Sequence, residues 1–331
     1  MLVNLTQGDD EKTIILNIPS NHLPRFFKIA KGDEVVVVFL DDVIKENLKL
    51  LFVDAEINGC YSFKITRDAE LDLKDEYEGN LAEQLEKQLQ KRDLGLATRF
   101  LHQPDLPKET LQVIVDKLNL KKANLVAGGN YHNLKDLASF PIKDAELENE
   151  KWPKIQYPKL IVGQTLEKQI HQKDILISTP YQSYDAILRF FNEAATDPSV
   201  QEIYVTLYRV ANDSKIVNAL ISAAKNGKKV SVLVELKARF DEANNIKWSK
   251  KMKEAGVKIS YSVTALKVHA KIALVKRLNG LRTSYVGLLA TGNFNETTAN
   301  FYTDHILMTA NWALLREMEL LFIFLAKRVK P

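Results

Sequence analysis

The sequence predicts an α/β protein in two parts. A mixed α+β domain occupies residues 1–155, and an α/β domain with a mostly parallel sheet flanked by helices occupies 156–331. Two observations lead to this. From residue 174 onward, short β-branched runs alternate with amphipathic stretches, the pattern of right-handed β-α-β units and of a sheet covered on both faces. Before that, strands and helices follow one another without such regularity. Between the two parts, ELENEKWPKIQYPKLI is polar, contains Pro153 and Pro158 and has no clear periodicity, so it reads as a linker.

Within the first part, TIILNIP (13–19) and EVVVVFL (34–40) read as strands, being short, β-branched and bounded by Pro, Gly or acidic residues. DDVIKENLKLLF reads as a helix, with Asp41 or Asp42 as N-cap and Val43, Leu48 and Leu51 among its apolar positions. YSFKIT (61–66) alternates again. NLAEQLEKQLQKRD (80–93) is a polar amphipathic helix with Leu81, Leu85 and Leu89 four residues apart, and KETLQVIVDKLNL is a second helix after Pro107. Gly128-Gly129 marks a loop.

In the second part, DILIST (174–179), EIYVTLYR (202–209) and KKVSVLVEL (228–236) are strands. They are separated by the helices YDAILRFFNEAATD and SKIVNALISAAKNG, the latter closed at Asn226-Gly227. A helix over NNIKWSKKMKEAG ends at Gly256. VKISYS, KVHAKIALV, SYVGLLAT and DHILMTA are four further strands, and WALLREMELLFIFLAK is a terminal helix. There is no internal repeat and no low-complexity tract.

Bulk properties narrow the class. The 331 residues are 46% hydrophobic and 27% charged, an ordinary globular composition. The net charge of +4 is too mild to argue for nucleic acid, so any anion site must come from local clustering. Cys60 is the only cysteine, which rules out an internal disulfide and a Cys-based metal site and fits a reducing compartment. The longest apolar run near the C-terminus, LLFIFLA, is far too short to span a bilayer, and MLVNLTQGDDEK lacks the pattern of a secretory signal. The resulting expectation is a cytoplasmic protein.

The densest chemistry lies in KVHAKIALV. Extended backbone sends successive side chains to opposite faces, so Lys267, His269 and Lys271 share one face and Val268, Ala270 and Ile272 the other. Two ammonium groups beside an imidazole favour its neutral form, which has a lone pair for nucleophilic attack, and the same lysines would hold a phosphate. A half-buried structural strand is the competing reading. Arg209 and Arg239 each stand just past a strand, where ligands bind in such sheets. Guanidinium forks match phosphate oxygens, although exposed arginines are ordinarily solvated. In ATGNFNETTANFYTDH, Thr291-Gly292-Asn293 follows a strand, with Gly292 allowing close backbone approach and Thr291 and Asn293 able to bond phosphate oxygens. Tyr302 has a ring face for a base and a hydroxyl for a phosphate; a plain polar turn is the alternative. Glu235, Asp241 and Glu242 could help hold Mg²⁺ or serve as caps. Walker-type, GxGxxG, HExxH and GxSxG motifs are absent.

Taken together, the run from IYVTLYRVANDSK through VELKARFDEANNIKWSKKMKEAGVKISYS, ALKVHAKIALV and ATGNFNETTANFYTDH closely resembles bacterial type 1 polyphosphate kinase over nearly all of 170–331. IPSNHLPRF, YSFKITRDAELDL and GGNYHNLKDLASFP resemble that family's middle, helical domain, with Asn130 where the family pattern has Arg. The resemblance implies reversible transfer of the ATP γ-phosphoryl group to inorganic polyphosphate through a phosphohistidine at His269. It implies Tyr302 as a nucleotide contact and Arg209 and Arg239 as magnesium-associated. An arginine has no lone pair for a metal, so these two would bind phosphates that Mg²⁺ bridges. ATP or ADP and polyphosphate would be the partners, nucleic acid would not, and the full-length form would be a homo-oligomer, with room for peripheral membrane association. The catalytic domain is expected to be phospholipase-D-like. Lys276 stands where that superfamily's H-x-K-x4-D has Asp, which counts against a phosphodiesterase. Family members are about twice as long, so this chain is expected to be a truncated or split form, with an N-terminal domain and a second phospholipase-D-like domain outside it. The alternatives are a phospholipase-D-like phosphodiesterase assembled from two copies and an inactive fragment that binds polyphosphate. The terminal helix and one sheet face are then expected to lack their cover.

Overall fold

A computed structural model of the protein describes residues 1–67, 96–150, 152–158, 161, 163–236, 238, 241–262 and 267–327. The helix expected over 80–93 and the site residue Arg239 lie outside the described residues. The described chain forms two compact units, divided between Glu150 and Lys151.

The first unit is built from short strands. β1 (Leu2–Gln7) lies between β2 (Asp10–Ile15) and β5 (Glu56–Tyr61), antiparallel to both. β3 (Phe26–Lys31) and β4 (Glu34–Phe39) form a hairpin. Helices α1 (Leu40–Glu46) and α2 (Leu48–Leu51) follow, so the single helix expected there is broken at Asn47, whose side-chain amide caps the Val43 carbonyl at 2.7 Å. β6 (Phe63–Arg67), β7 (Ala97–His102) and β8 (Asn124–Ala127) make the third sheet, and α3 (Lys108–Lys117) follows β7. β1 is buried on both faces: Leu2 joins Phe100, Ile114 and Leu120, whereas Val3 and Leu5 pack with Leu48.

The GGNYHN segment is a fastener within this unit. Tyr131 stacks on Phe39 with centroids 3.8 Å apart and donates to Asp42 at 2.6 Å. That bond pushes the Tyr131 hydroxyl up to about 12. Arg25 bridges Asp41 and Asp136 at 2.6 and 3.0 Å, and Asn133 bonds Asp136 at 2.7 Å.

The second unit holds α4 (Leu166–Gln172), β9 (Ile175–Thr179), α5 (Asp185–Thr196), β10 (Val200–Leu207), α6 (Lys215–Lys225) and β11 (Lys229–Val234). It continues with α7 (Glu242–Glu254), β12 (Lys258–Tyr261), β13 (Ile272–Asn279), β14 (Arg282–Ala290), β15 (Asp304–Thr309) and α8 (Trp312–Lys327). The seven strands lie in the order β12-β11-β10-β13-β14-β15-β9. The expected α/β class is what the structure has, and five strands run the same way, yet the sheet is mixed. Only β10–β11 and β11–β12 pair in parallel, while the other four pairings are antiparallel. The reason is the connections: helices join β9 through β12 in turn, whereas β13 returns through a tight turn at Gly280.

Alternation along β13 sorts its side chains between two cores. Ala273 and Val275 join the main core beneath α5 and α6, and Ile272 and Leu274 meet Leu315, Met318 and Phe322 of α8. A Cβ on Gly287 of β14 would lie 2.4 Å from Leu315, so glycine lets α8 sit close. On the α8 side a groove of about 540 Å³ stays open, lined by Tyr204, Val232, Ser260 and Phe322 among others, and Leu320 and Ile323 of α8 are exposed. Lys276 lies in an ionic cluster beside α8, 3.3 Å from Glu202 and 3.8 Å from Glu319.

Candidate functional site

The strand register brings the chemistry-bearing residues to one end of the sheet. β13 runs antiparallel to β10 with Ala273 opposite Val205, so the residues before Ile272 lie beside those after Leu207. β11 is parallel to β10 with Val234 opposite Leu207, which adds Glu235 to the same end. Leu289 of β14 faces Ile272, and Ala290 pairs with Ile306, so Thr291–Asn293 and Asp304 arrive there as well.

Lys267–Lys271 precede β13 instead of forming its first residues, a correction to the strand expected over KVHAKIALV. The physical reason is that side chains take several of their backbone bonds, although the Lys271 carbonyl still accepts from the Ala290 amide at 2.9 Å. The Val268 amide donates to buried Glu235 at 2.8 Å, and the Ser262 hydroxyl donates to the other oxygen of that carboxylate at 2.8 Å. Thr206 donates to the Ala270 carbonyl at 2.7 Å and accepts from the Ile272 amide at 3.0 Å. His269 is therefore held from both sides. α7 supports the arrangement: Asn245 donates to the carbonyls of Tyr208 and Glu235 at 2.8 and 3.0 Å, and Trp248 donates to that of Ala211 at 3.1 Å.

The three polar residues do not share one exposed face. Lys267 and His269 are exposed, but Lys271 is buried and turns its ammonium back to the His269 carbonyl at 2.5 Å. Around them stands Tyr208, which sequence reasoning missed. Its ring meets the His269 ring edge-to-face, centroids 4.9 Å apart at 87°. The Lys271 and Lys267 ammonium groups lie 5.1 and 5.6 Å from the same ring centroid. Partial burial of the imidazole, then the charges of Lys271 and Lys267, lower the His269 pKa and favour the neutral ring. Burial lowers that of Lys271 too, and the Asp304 carboxylate opposes the shift.

Asp304, also missed, explains Gly292. A Cβ on Gly292 would lie 2.1 Å from the Asp304 carboxylate, which Thr291 holds with a 2.8 Å hydrogen bond. Asn293 has a buried side-chain oxygen with no hydrogen-bond partner among the described residues. Tyr302 is 58% exposed, its carbonyl accepting from Thr179 at 3.3 Å. Arg209 pairs with Asp241 at 3.3 Å. Glu235 is committed to Ser262 and Val268, and Glu242 is buried. No group of three or more His, Cys, Asp or Glu side chains that could hold a metal occurs among the described residues. The signals for the missed residues were present but ambiguous: Tyr208 directly precedes Arg209, and Asp304 sits at the end of the Gly292 segment.

Comparisons with known proteins identify the family. The model of the polyphosphate kinase middle domain matches residues 1–140, and that of polyphosphate kinase C-terminal domain 1 matches 165–331. The chain belongs to the polyphosphate kinase family. It is 37% identical over 341 residues to the polyphosphate kinase of Escherichia coli strain K12, covering 100% of this chain and 50% of that protein. To that of Yersinia pestis it is 36% identical over 339 residues, covering 100% and 49%. The crystal structure of polyphosphate kinase from Porphyromonas gingivalis superposes with a TM-score of 0.77 at 37% identity, over 100% of this chain and 48% of that one. The chain thus spans about half the length of the curated relatives it matches. Among the described residues no helix is long and apolar enough to cross a membrane.

Proposed function

We propose that this polyphosphate kinase chain carries the histidine-bearing part of a site that moves the γ-phosphoryl group of ATP reversibly onto inorganic polyphosphate, through a phosphohistidine at His269. The observation that carries the reading is the exposed His269, favoured in its neutral form and flanked by Lys267 and Lys271 at the sheet end that also holds Arg209. Phosphoryl transfer needs an aligned nucleophile and neutralised oxygen charge more than covalent help from the protein. An imidazole ring nitrogen of His269 attacks the γ-phosphorus in line, the P–O bond to ADP breaks, and ADP leaves with the electron pair. The terminal oxygen of polyphosphate then attacks the same phosphorus and frees the imidazole.

In this reading Arg209 and Lys271 neutralise phosphate oxygens, with Arg239 assigned to the same task on sequence alone. Asn293 donates its amide to a phosphate, and Tyr302 receives the nucleotide. Mg²⁺ enters as part of the nucleotide substrate. The donor set favours this, because Glu235 is occupied by backbone and hydroxyl donors, Asp241 is paired with Arg209, and arginines cannot ligate a metal. The lone Cys60 supports a cytoplasmic location.

The test is nucleotide dependence. Purified chain, alone and with the downstream half of a family member added, is given ADP, Mg²⁺ and polyphosphate, and ATP is measured by luminescence. ATP formation that disappears in H269A supports the proposal. Hydrolysis of a phosphodiester substrate without nucleotide, and no ATP in either mixture, would overturn it in favour of a phosphodiesterase.

A further inference from the structure

We propose that Tyr208 is a positioning residue of this site, its ring fixing the His269 imidazole and gathering the Lys267 and Lys271 ammonium groups before any anion is bound. The inference deepens the proposed function and rests on His269 being the nucleophile. Lys267 and Lys271 carry like charge on either side of one imidazole, and without a phosphate between them they repel. An aromatic ring offers negative density on its faces and positive density at its edge. Both ammonium groups lie within 6 Å of the Tyr208 centroid, at 5.1 and 5.6 Å, and the imidazole meets the ring at 87°. One side chain thus orders three others.

The platform is itself held. The Tyr208 carbonyl accepts from Asn245, which is 1% exposed and also fastens the Glu235 carbonyl. Glu235 in turn fixes Val268, one residue before the histidine. Ring and histidine are therefore referenced to the same buried carboxylate and amide, and their separation does not depend on a mobile surface contact. An incoming phosphate would trade the ring for its own oxygens at both lysines, while the imidazole keeps its contact.

The test uses the whole 331-residue chain and the variants Y208F, Y208L and Y208M. Two readouts are needed, neither requiring ATP. One is the NMR titration of His269, labelled at its ring carbon. The other is the rate at which phosphoramidate, which transfers its phosphoryl group to free imidazoles with loss of ammonia, modifies His269 at fixed pH. Y208F keeps the ring and gives wild-type values in both. Y208L and Y208M fold with the wild-type circular dichroism spectrum but raise the His269 pKa toward that of an ordinary histidine and slow its modification at least about tenfold. Wild-type titration and wild-type rate in folded Y208L or Y208M overturn the proposal, as does a Y208F variant as slow as Y208L. Absence of ATP chemistry in the wild-type chain would count against the kinase reading alone, because the phosphoramidate reaction reports on His269 directly.

Discussion

Thr206→Val tests the idea that neighbouring side chains, and not the strand ladder, hold the nucleophile. Thr206 is 2% exposed, and its hydroxyl both donates to the Ala270 carbonyl at 2.7 Å and accepts from the Ile272 amide at 3.0 Å. Valine has nearly the same volume, so no cavity forms, but a buried carbonyl and a buried amide each lose a partner. Leaving a buried polar group unsatisfied costs about 1–3 kcal/mol, so the two together give about 2–4 kcal/mol once partial relaxation is allowed for. With a urea dependence of roughly 2 kcal/mol per molar, the unfolding midpoint falls by about 1–2 M. Tryptophan fluorescence isolates the relevant unit, because Trp152, Trp248 and Trp312 all lie in it. Phosphohistidine formation should fall with stability still sufficient to keep T206V folded in buffer. A midpoint within about 0.2 M of wild type, given the same slope, would refute the reasoning, since it would mean that Ala270 and Ile272 find other partners at no cost.

Further outcomes follow from the same geometry. Because partial burial, then Lys271 and Lys267, lower the His269 pKa, its neutral ring persists to lower pH than that of an ordinary histidine. Labelling should therefore persist at mildly acidic pH, and K267M, which removes one opposing charge, should move the acid limb of the pH profile upward; an unmoved or lowered limb contradicts the assignment. Gly292→Ala places a Cβ 2.1 Å from the Asp304 carboxylate and should destabilise by about 1–3 kcal/mol. Because the Asp304 Cβ would itself lie 2.9 Å away, the penalty should largely vanish only in G292A/D304G relative to D304G alone, and simple additivity in calorimetry would count against the close approach. Glu235→Ala frees the Val268 amide from its 2.8 Å acceptor, so hydrogen exchange at Val268 should accelerate selectively; protection equal to wild type would show that another group holds it.

Much of the second unit was legible because its strands and helices carry their periods openly. β10, β11, α6 and α7 fall where β-branched runs and Gly-terminated helical stretches place them. The antiparallel half was less legible, because alternation says which residues form a strand and nothing about which way its neighbour runs. KVHAK reads as strand by the same alternation, and only the three-dimensional arrival of Glu235 and Thr206 reveals that the Val268 amide and the Ala270 carbonyl bond side chains. The site shows the same division. A histidine between two lysines is visible in sequence, since charge clustering is local. Tyr208 is not, because an aromatic residue at a strand end is ordinarily core, and its role depends on β13 being antiparallel to β10. Glu235 was open in sequence between a metal contact and a cap, and only the fold brings Ser262 and the Val268 amide to its two oxygens.

The central claim is that His269 is the phosphorylated nucleophile, and the most direct measurement is incubation with γ-labelled ATP and Mg²⁺ beside H269A, followed by mapping of the label. The account predicts an acid-labile, base-stable label on the peptide containing His269, absent from H269A, formed by this chain alone or once the downstream half of a family member is added. Label on another residue, or label of equal intensity in H269A, would contradict it.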